Sequence, residues 1–160
     1  MVLFFYSCGD QHESNYPWIG FIDPSSSLSN NGFQTCADTV FLTQNMRYYF
    51  SENSAGYYGG YSEIKRLLLE KYNGEKYTDS GYLTIRFILN CRGETGRFVM
   101  NESSIDFNDY SFNQKLKNEL LAFTMKLDQW RSVCYEDENE DAYVFLTYKI
   151  INGEIVEILP

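Results

Sequence analysis

The strongest pattern of apolar and polar positions along the chain lies in the segment 109–130. Apolar residues recur there every three or four positions, the spacing that places side chains on one face of an α-helix. The stripe consists of Phe112, Leu116, Leu120, Phe123, Leu127 and Trp130. Ser111 and Gln114 match a capping box at its start. The pattern predicts a long helix over Asp109–Trp130 that lies on a sheet.

A second helix is predicted directly after the turn Gly59-Gly60. Ser62 can cap its first turn, and Glu63 favours the positive end of the helix dipole. Its apolar residues again repeat at helical spacing; they are Ile64, Leu67, Leu68 and Tyr72. The pair Asn73-Gly74 predicts the end of this helix.

Between the two helices the pattern changes to that of strands. Apolar and polar residues alternate through Tyr82–Asn90, with Ile88 as the exception, as in a strand with one buried face. Gly93 and Gly96 mark a turn, and Arg97–Met100 is predicted to return as the partner strand.

The C-terminal segment predicts a second pair of strands. Tyr143–Ile150 is apolar on both faces, which favours a position inside the sheet. Asn152-Gly153 predicts a two-residue turn into a short outer strand, Ile155–Leu159. The expected fold is α+β, with an antiparallel sheet of three to four strands packed against two helices.

Size and charge narrow the function classes. The 160 residues, 18.7 kDa, suit a single domain. A formal net charge of -9 argues against nucleic-acid binding, which depends on clustered lysine and arginine. The acidic run "EDENED", Glu136 to Asp141, is predicted to be a solvated loop rather than a calcium site, because it has no glycine and no alternating ligand pattern.

The first eight residues, "MVLFFYSC", resemble the lipobox of bacterial lipoproteins. In that family the cysteine is acylated and the preceding segment is removed, so the resemblance implies lipidation at Cys8. The alternative is an ordinary apolar N-terminus with an exposed Cys8. Three regions are therefore expected: a clipped signal remnant at 1–8, an irregular lead-in at 9–56 and a folded domain at 57–160.

The folded region resembles the C-terminal domain of the TonB family. The resemblance covers Tyr58 to Ile150 and includes the strand "GYLTIRFILNCRGETG". The positions that carry it are Gly59, Gly60, Gly81, Phe87, Asn90, Gly93, Phe112, Leu116 and Trp130. It implies a non-enzymatic interaction module of the cell envelope, on the periplasmic face or the surface of the outer membrane, with an envelope protein as its partner.

Two departures qualify that resemblance. TonB-family members that transmit energy have an N-terminal membrane helix and a proline-rich spacer, whereas this chain has three prolines and no apolar run of spanning length after Cys8. Contact with a membrane is therefore expected only through a lipid anchor. In addition, the Asn152-Gly153 hairpin would cover the strand edge at which the family accepts a partner's strand.

Three further cysteines follow Cys8. Antiparallel pairing of the Tyr82 and Tyr143 strands would bring Cys91 near Cys134, so a disulfide between these two is predicted, and Cys36 could replace either partner. Free buried thiols are the alternative. No metal site is predicted, because the cysteines are scattered and only His12 could join them. Neither a catalytic constellation nor a cofactor motif is found.

The aromatic residues leave a second function open. The chain has 14 tyrosines and 12 phenylalanines, and five tyrosines cluster near the glycine turn. These are Tyr48, Tyr49, Tyr57, Tyr58 and Tyr61, which could form an interaction patch. The alternatives to a protein-binding module are therefore a carbohydrate- or peptidoglycan-binding module, or an acidic inhibitor of the immunity-protein type.

Overall fold

The computed structural model describes residues 22, 32–36, 56–135 and 138–159. Its elements in chain order are β1 (Gly56–Tyr57), α1 (Gly60–Leu69), β2 (Gly81–Leu89), β3 (Thr95–Ser103), α2 (Gln114–Thr124), β4 (Trp130–Arg131), β5 (Val133–Tyr135), β6 (Glu138–Glu140), β7 (Ala142–Ile151) and β8 (Glu154–Leu159). The predictions for residues 1–8, including Cys8, and for Tyr48 and Tyr49 lie outside the described residues.

The main sheet has four antiparallel strands in the order β3-β2-β7-β8. This confirms the α+β class, and the large elements follow the expected order of helix, two strands, helix and two strands. Two small pairs, β1 with β4 and β5 with β6, were not predicted from the sequence. The β5–β6 pair falls within and beside the acidic run that was expected to be a loop.

The two faces of the main sheet have different surroundings. Side chains on the front face, among them Leu83, Ile85 and Phe87, are fully buried with residues of α1 and α2 in one core. The apolar stripe of the 109–130 segment belongs to this core, as the pattern required. On the back face, Ile88 packs with Tyr143 and Ile22 in a separate cluster. Ile22 therefore covers part of the back face, which explains the break in alternation at Ile88.

Both helices end earlier than their patterns predicted, since α1 ends at Leu69 rather than at Asn73-Gly74, and α1 also begins earlier. Helix α1 begins at Gly60 after an N-cap at Gly59 that has no side-chain hydrogen bond, so Ser62 is not the cap. Helix α2 begins after Asn113, whose side chain accepts from the amide of Lys115, and it ends at Thr124. Phe112, Leu127 and Trp130 continue the buried stripe from irregular segments on either side. In the described part of the chain, no helix has the length and apolar character that a membrane span requires.

The turn between β7 and β8 has the predicted form. Asn152 and Gly153 both have positive φ, 51° and 81°, as a two-residue turn of this kind needs. Gly153 also lies against the backbone of the short 3-10 turn Gly74–Lys76. A β-carbon at Gly153 would lie 2.4 Å from the Gly74 carbonyl oxygen and 2.4 Å from that of Tyr77. Only glycine fits this position.

The outer strands of the main sheet have additional contacts. Lys65 of α1 donates from Nζ to the carbonyl of Val156 on β8 at 2.6 Å. At one end of β3, the ring of Phe33 packs so closely on Gly96 that a β-carbon there would lie 2.2 Å from it. At the other end, Ser103 forms an isolated antiparallel bridge with Asp109.

A buried hydrogen-bond chain joins α2 to β7 inside the core. The Thr124 hydroxyl donates to the Leu120 carbonyl at 2.8 Å, and the hydroxyls of Thr124 and Tyr148 lie 2.8 Å apart. Because a threonine hydroxyl has one proton, Tyr148 must be the donor in the second bond. Both Thr124 and Tyr148 are fully buried. Burial raises the pKa of Tyr148 well above its usual range.

This tyrosine is expected to make the fold sensitive to alkali. Below pH ~10 both the folded and the unfolded chain hold the Tyr148 proton, whereas above it only the unfolded chain releases it. The free energy of unfolding should therefore fall by about 1 kcal/mol for each pH unit above that point from this group alone. Urea unfolding of the parent and of Tyr148→Phe at neutral and alkaline pH measures the difference.

The Tyr148→Phe variant should lose about 1 kcal/mol at neutral pH, because one buried hydrogen bond is removed. Its stability should then decline less steeply with alkali than that of the parent. Parallel declines in the two proteins would contradict the assignment of alkali sensitivity to Tyr148.

Candidate functional site

A groove lies between α1 and α2 on the front face of the sheet. Its cavity volume is about 420 Å³, which is within the usual range for ligand-binding pockets. The apolar residues that line it are Tyr57, Leu67, Leu68, Tyr72, Phe123 and Leu127. Charged residues of both signs also line it; they are Glu70, Lys71, Glu119, Lys126 and Asp128. This groove between the helices, with its apolar floor and charged rim, is hereafter called the helix groove.

The small β1–β4 pair fixes one end of the helix groove. Tyr57 of β1 is the Cα partner of Trp130 of β4, and their rings meet edge to face with centroids 5.1 Å apart. The amide of Tyr58 donates to the carbonyl of Gln129 at 3.0 Å. Burial, together with the nearby Asp128 carboxylate, raises the pKa of Tyr57. The pair holds the start of α1 beside the segment that follows α2, so the groove is built into the fold.

Hydrogen bonds also fix the opposite wall of the helix groove. The Tyr72 hydroxyl donates to the Gly153 carbonyl at 2.5 Å. Burial raises the pKa of Tyr72, and the negative charge of Glu119 adds to the effect. Glu119 in turn accepts from the Tyr77 hydroxyl at 2.8 Å and pairs with Lys76 at 2.9 Å. Because Glu119 already has these partners and Glu70 pairs with Arg66, the rim charges of the described residues that remain beside the apolar floor are those of Lys71, Lys126 and Asp128.

The described members of the predicted tyrosine patch lie in different surroundings. Tyr57 lines the floor of the helix groove and Tyr61 packs against the core. Tyr58 is 62% exposed and is the member of the three described tyrosines that presents its ring most openly. With Tyr48 and Tyr49 outside the described residues, a five-member patch stays a prediction.

The disulfide differs from the one expected. Cys91 is bonded to Cys36, and Cys134 lies in the β5–β6 hairpin, where its Cα partner is Asn139. The end of β2 does lie beside the start of β7, with Leu89 opposite Ala142. The hairpin, however, carries Cys134 into another sheet, while residues 32–36 cross the end of β2 and bring Cys36 to Cys91. The open alternative, in which Cys36 replaces one partner, is therefore the correct one.

Asp141 holds this crossing in place. It is fully buried, and its two carboxylate oxygens accept from the amides of Cys36 at 2.7 Å and Cys91 at 2.9 Å. The prediction that the acidic run is a solvated loop is thus wrong for Asp141. Arg92 adds to the contact, since it donates to the Gln34 carbonyl at 3.2 Å and to Glu94 at 2.8 Å.

The same three residues have a spacing that could suit a metal ion. The ligand atoms of Cys36, Cys91 and Asp141 all lie within 4.8 Å of one another. Metal ligation requires thiolates, however, and here the two sulfurs are bonded to each other. In this state the cluster is a structural connection between the lead-in and the sheet.

The sequence patterns assigned the groove residues to the core and did not predict that they also line an open groove. Leu67 and Phe123 are only partly buried, although both belong to the apolar stripes of their helices. The available signal was the width of those stripes, since two helices side by side on one sheet leave their facing flanks incompletely covered. A search against models of known protein families, curated proteins and solved structures found no match.

Proposed function

We propose that this chain is a non-enzymatic accessory module of the bacterial cell envelope that binds a segment of a partner protein in the helix groove. The proposal includes a lipid anchor at Cys8, which would hold the module at the periplasmic face or the surface of the outer membrane. The observation that carries it is the groove itself, because an apolar surface between two helices is left open where the core would otherwise be closed.

The TonB-like order of elements supports the envelope part of the proposal. The chain has the helix, strand, strand, helix, strand order expected from that resemblance, followed by the additional strand β8. The Cys36–Cys91 disulfide agrees with an oxidising compartment such as the periplasm. Strand β8 already pairs with the edge of β7, so a partner is expected to use a surface other than that edge.

The lining of the helix groove defines the partner segment. Leu67, Phe123 and Leu127 offer an apolar floor, which favours a large aliphatic or aromatic side chain. Lys71 and Lys126 supply positive charge at the rim, and Asp128 supplies negative charge. We therefore expect a segment that places one large apolar side chain between charged residues of both signs.

Photocrosslinking in the native envelope tests this proposal. A benzophenone amino acid at Phe123 in the full-length, lipid-anchored chain should yield one dominant adduct with a partner protein. Ala122 lines the groove and is exposed, so Ala122→Trp should fill the groove, change stability by no more than about 0.5 kcal/mol and abolish the adduct. Mass spectrometry of the crosslinked peptide should identify the large apolar residue.

Asn118→Trp is the matched control, because Asn118 is also exposed on α2 but does not line the groove. This variant should keep the Phe123 adduct. If Asn118→Trp abolishes the adduct as effectively as Ala122→Trp, or if neither variant affects it, the groove is not the binding site and the proposed function fails.

A further inference from the structure

Phe107 is the most exposed large apolar side chain of the described residues, at 76%. It lies in a tight turn in which its amide donates to the Ser104 carbonyl at 3.0 Å and the Ser104 amide donates to the Asn108 carbonyl at 3.0 Å. Its φ is 60°, in the left-handed region that is unfavourable for a residue with a β-carbon. An apolar ring held in solvent by a strained backbone contributes little to folding, so the position suggests a binding role.

The ring of Phe107 is supported from one side by Tyr82. The two rings are nearly parallel, at 5°, with centroids 5.1 Å apart. Tyr82 lies on β2 and belongs to the back face of the sheet, opposite the helix groove. The stack therefore offers one flat aromatic face to solvent; this pair is hereafter called the aromatic platform.

Polar side chains continue from the aromatic platform along the back face. Thr84 follows Tyr82 on the same face of β2, and its hydroxyl lies 3.0 Å from that of Thr147 on β7. Arg86 comes next on that face, and its buried Nε has no hydrogen-bond partner within the part of the chain that the structure describes. Tyr82 and Arg86 are four residues apart, a distance of about 13 Å along a strand.

The chemistry of this surface favours a saccharide. A flat aromatic ring suits the apolar face of a pyranose, and the hydroxyls of Thr84 and Thr147 suit its hydroxyl groups. Asp106 and Asp109 flank Phe107 in sequence and would repel an anionic lipid surface. Lys149 is the cross-strand neighbour of Tyr82 on the same face, and its positive charge would repel a basic peptide. A neutral, hydroxyl-rich ligand meets neither obstacle.

We propose that the aromatic platform is the first subsite of a saccharide-binding surface, on which one sugar ring stacks on Phe107 and the following rings run along β2 toward Arg86. The ligand class is a neutral oligosaccharide chain of a few rings. This surface lies on the opposite side of the sheet from the helix groove, so the two proposals succeed or fail independently.

Titration calorimetry with neutral oligosaccharides tests the proposal on the full chain. The probes are β-1,4-linked glucose and β-1,4-linked N-acetylglucosamine oligomers, together with α-1,4-linked glucose oligomers. At least one series should bind, and Phe107→Ala should weaken that binding by about tenfold or more. Phe107→Tyr keeps a flat ring and should retain the affinity of the parent.

Tyr58→Ala is the matched control, because Tyr58 is another exposed aromatic residue that lies outside the platform. It should bind as the parent does, and the affinity should change little with salt. The proposal is overturned if none of these oligomers binds, or if Phe107→Ala binds them as well as the parent. Phe107-dependent binding of an oligo-arginine peptide without saccharide binding would assign the platform to a basic protein instead.

Discussion

Reduction of the Cys36–Cys91 disulfide is expected to lower the free energy of unfolding by about 4 kcal/mol, the chain-entropy value for a loop of this size. The two cysteines are 55 residues apart in sequence, so the bond restricts a long loop in the unfolded chain. Once it is opened, residues 32–36 are held only by noncovalent contacts, among them the bond from the Cys36 amide to Asp141 and the bonds that the Gln34 carbonyl accepts from Asn90 and Arg92. Chemical unfolding with and without a dithiol reductant measures the difference.

A Cys36→Ser, Cys91→Ser double variant serves as the control for that experiment. It should be destabilised to a similar extent, and the reductant should have no further effect on it. Cys134→Ser should keep the full response to reduction, because Cys134 is not a partner in the bond. A parent protein that unfolds at the same denaturant concentration in both conditions would contradict the expected role of the disulfide.

Gly153→Ala is the second change with a large expected effect, a loss of about 3 kcal/mol or more. The β-carbon would lie 2.4 Å from two carbonyl oxygens, those of Gly74 and Tyr77, which belong to the backbone and cannot rotate away. The positive φ of 81° adds strain of its own. Thermal and denaturant unfolding of the variant provide the measurement.

Gly60→Ala separates these two contributions. Gly60 has a comparable φ of 69°, but a β-carbon there would meet nothing within 4 Å. This variant should therefore lose only the backbone part, on the order of 1 kcal/mol. Equal losses at Gly60 and Gly153 would show that the close contact with the 3-10 turn has no energetic importance.

Local patterns predicted the large elements because those elements depend on neighbouring residues. The alternation in β2 and the pair Asn152-Gly153 each specify a geometry within a few positions, and the structure has both. The helix ends were less accurate, since residues such as Phe112 and Trp130 are buried without being helical. Periodicity reports which side chains are buried, and burial continues beyond the hydrogen-bonded turns.

The features that depend on distant parts of the chain could not be predicted from local sequence patterns. Cys91 had two candidate partners, and the choice depended on the path of residues 32–36 across the sheet end. Asp141 looked like one more member of an acidic run, yet two amides that are far apart in sequence account for its burial. Phe107 lies with Ile105 in an otherwise polar segment, and only its position over Tyr82 reveals a surface.

The contact between Lys65 and the Val156 carbonyl has a consequence for how this protein behaves at high concentration. An open outer strand is a template on which another copy can add its own backbone, the first step toward a fibre. Here an ammonium group from a neighbouring helix already occupies one of the acceptors that the incoming chain would need. Growth from that side would have to displace the Lys65 side chain, which gives the protein a measure of protection from self-association.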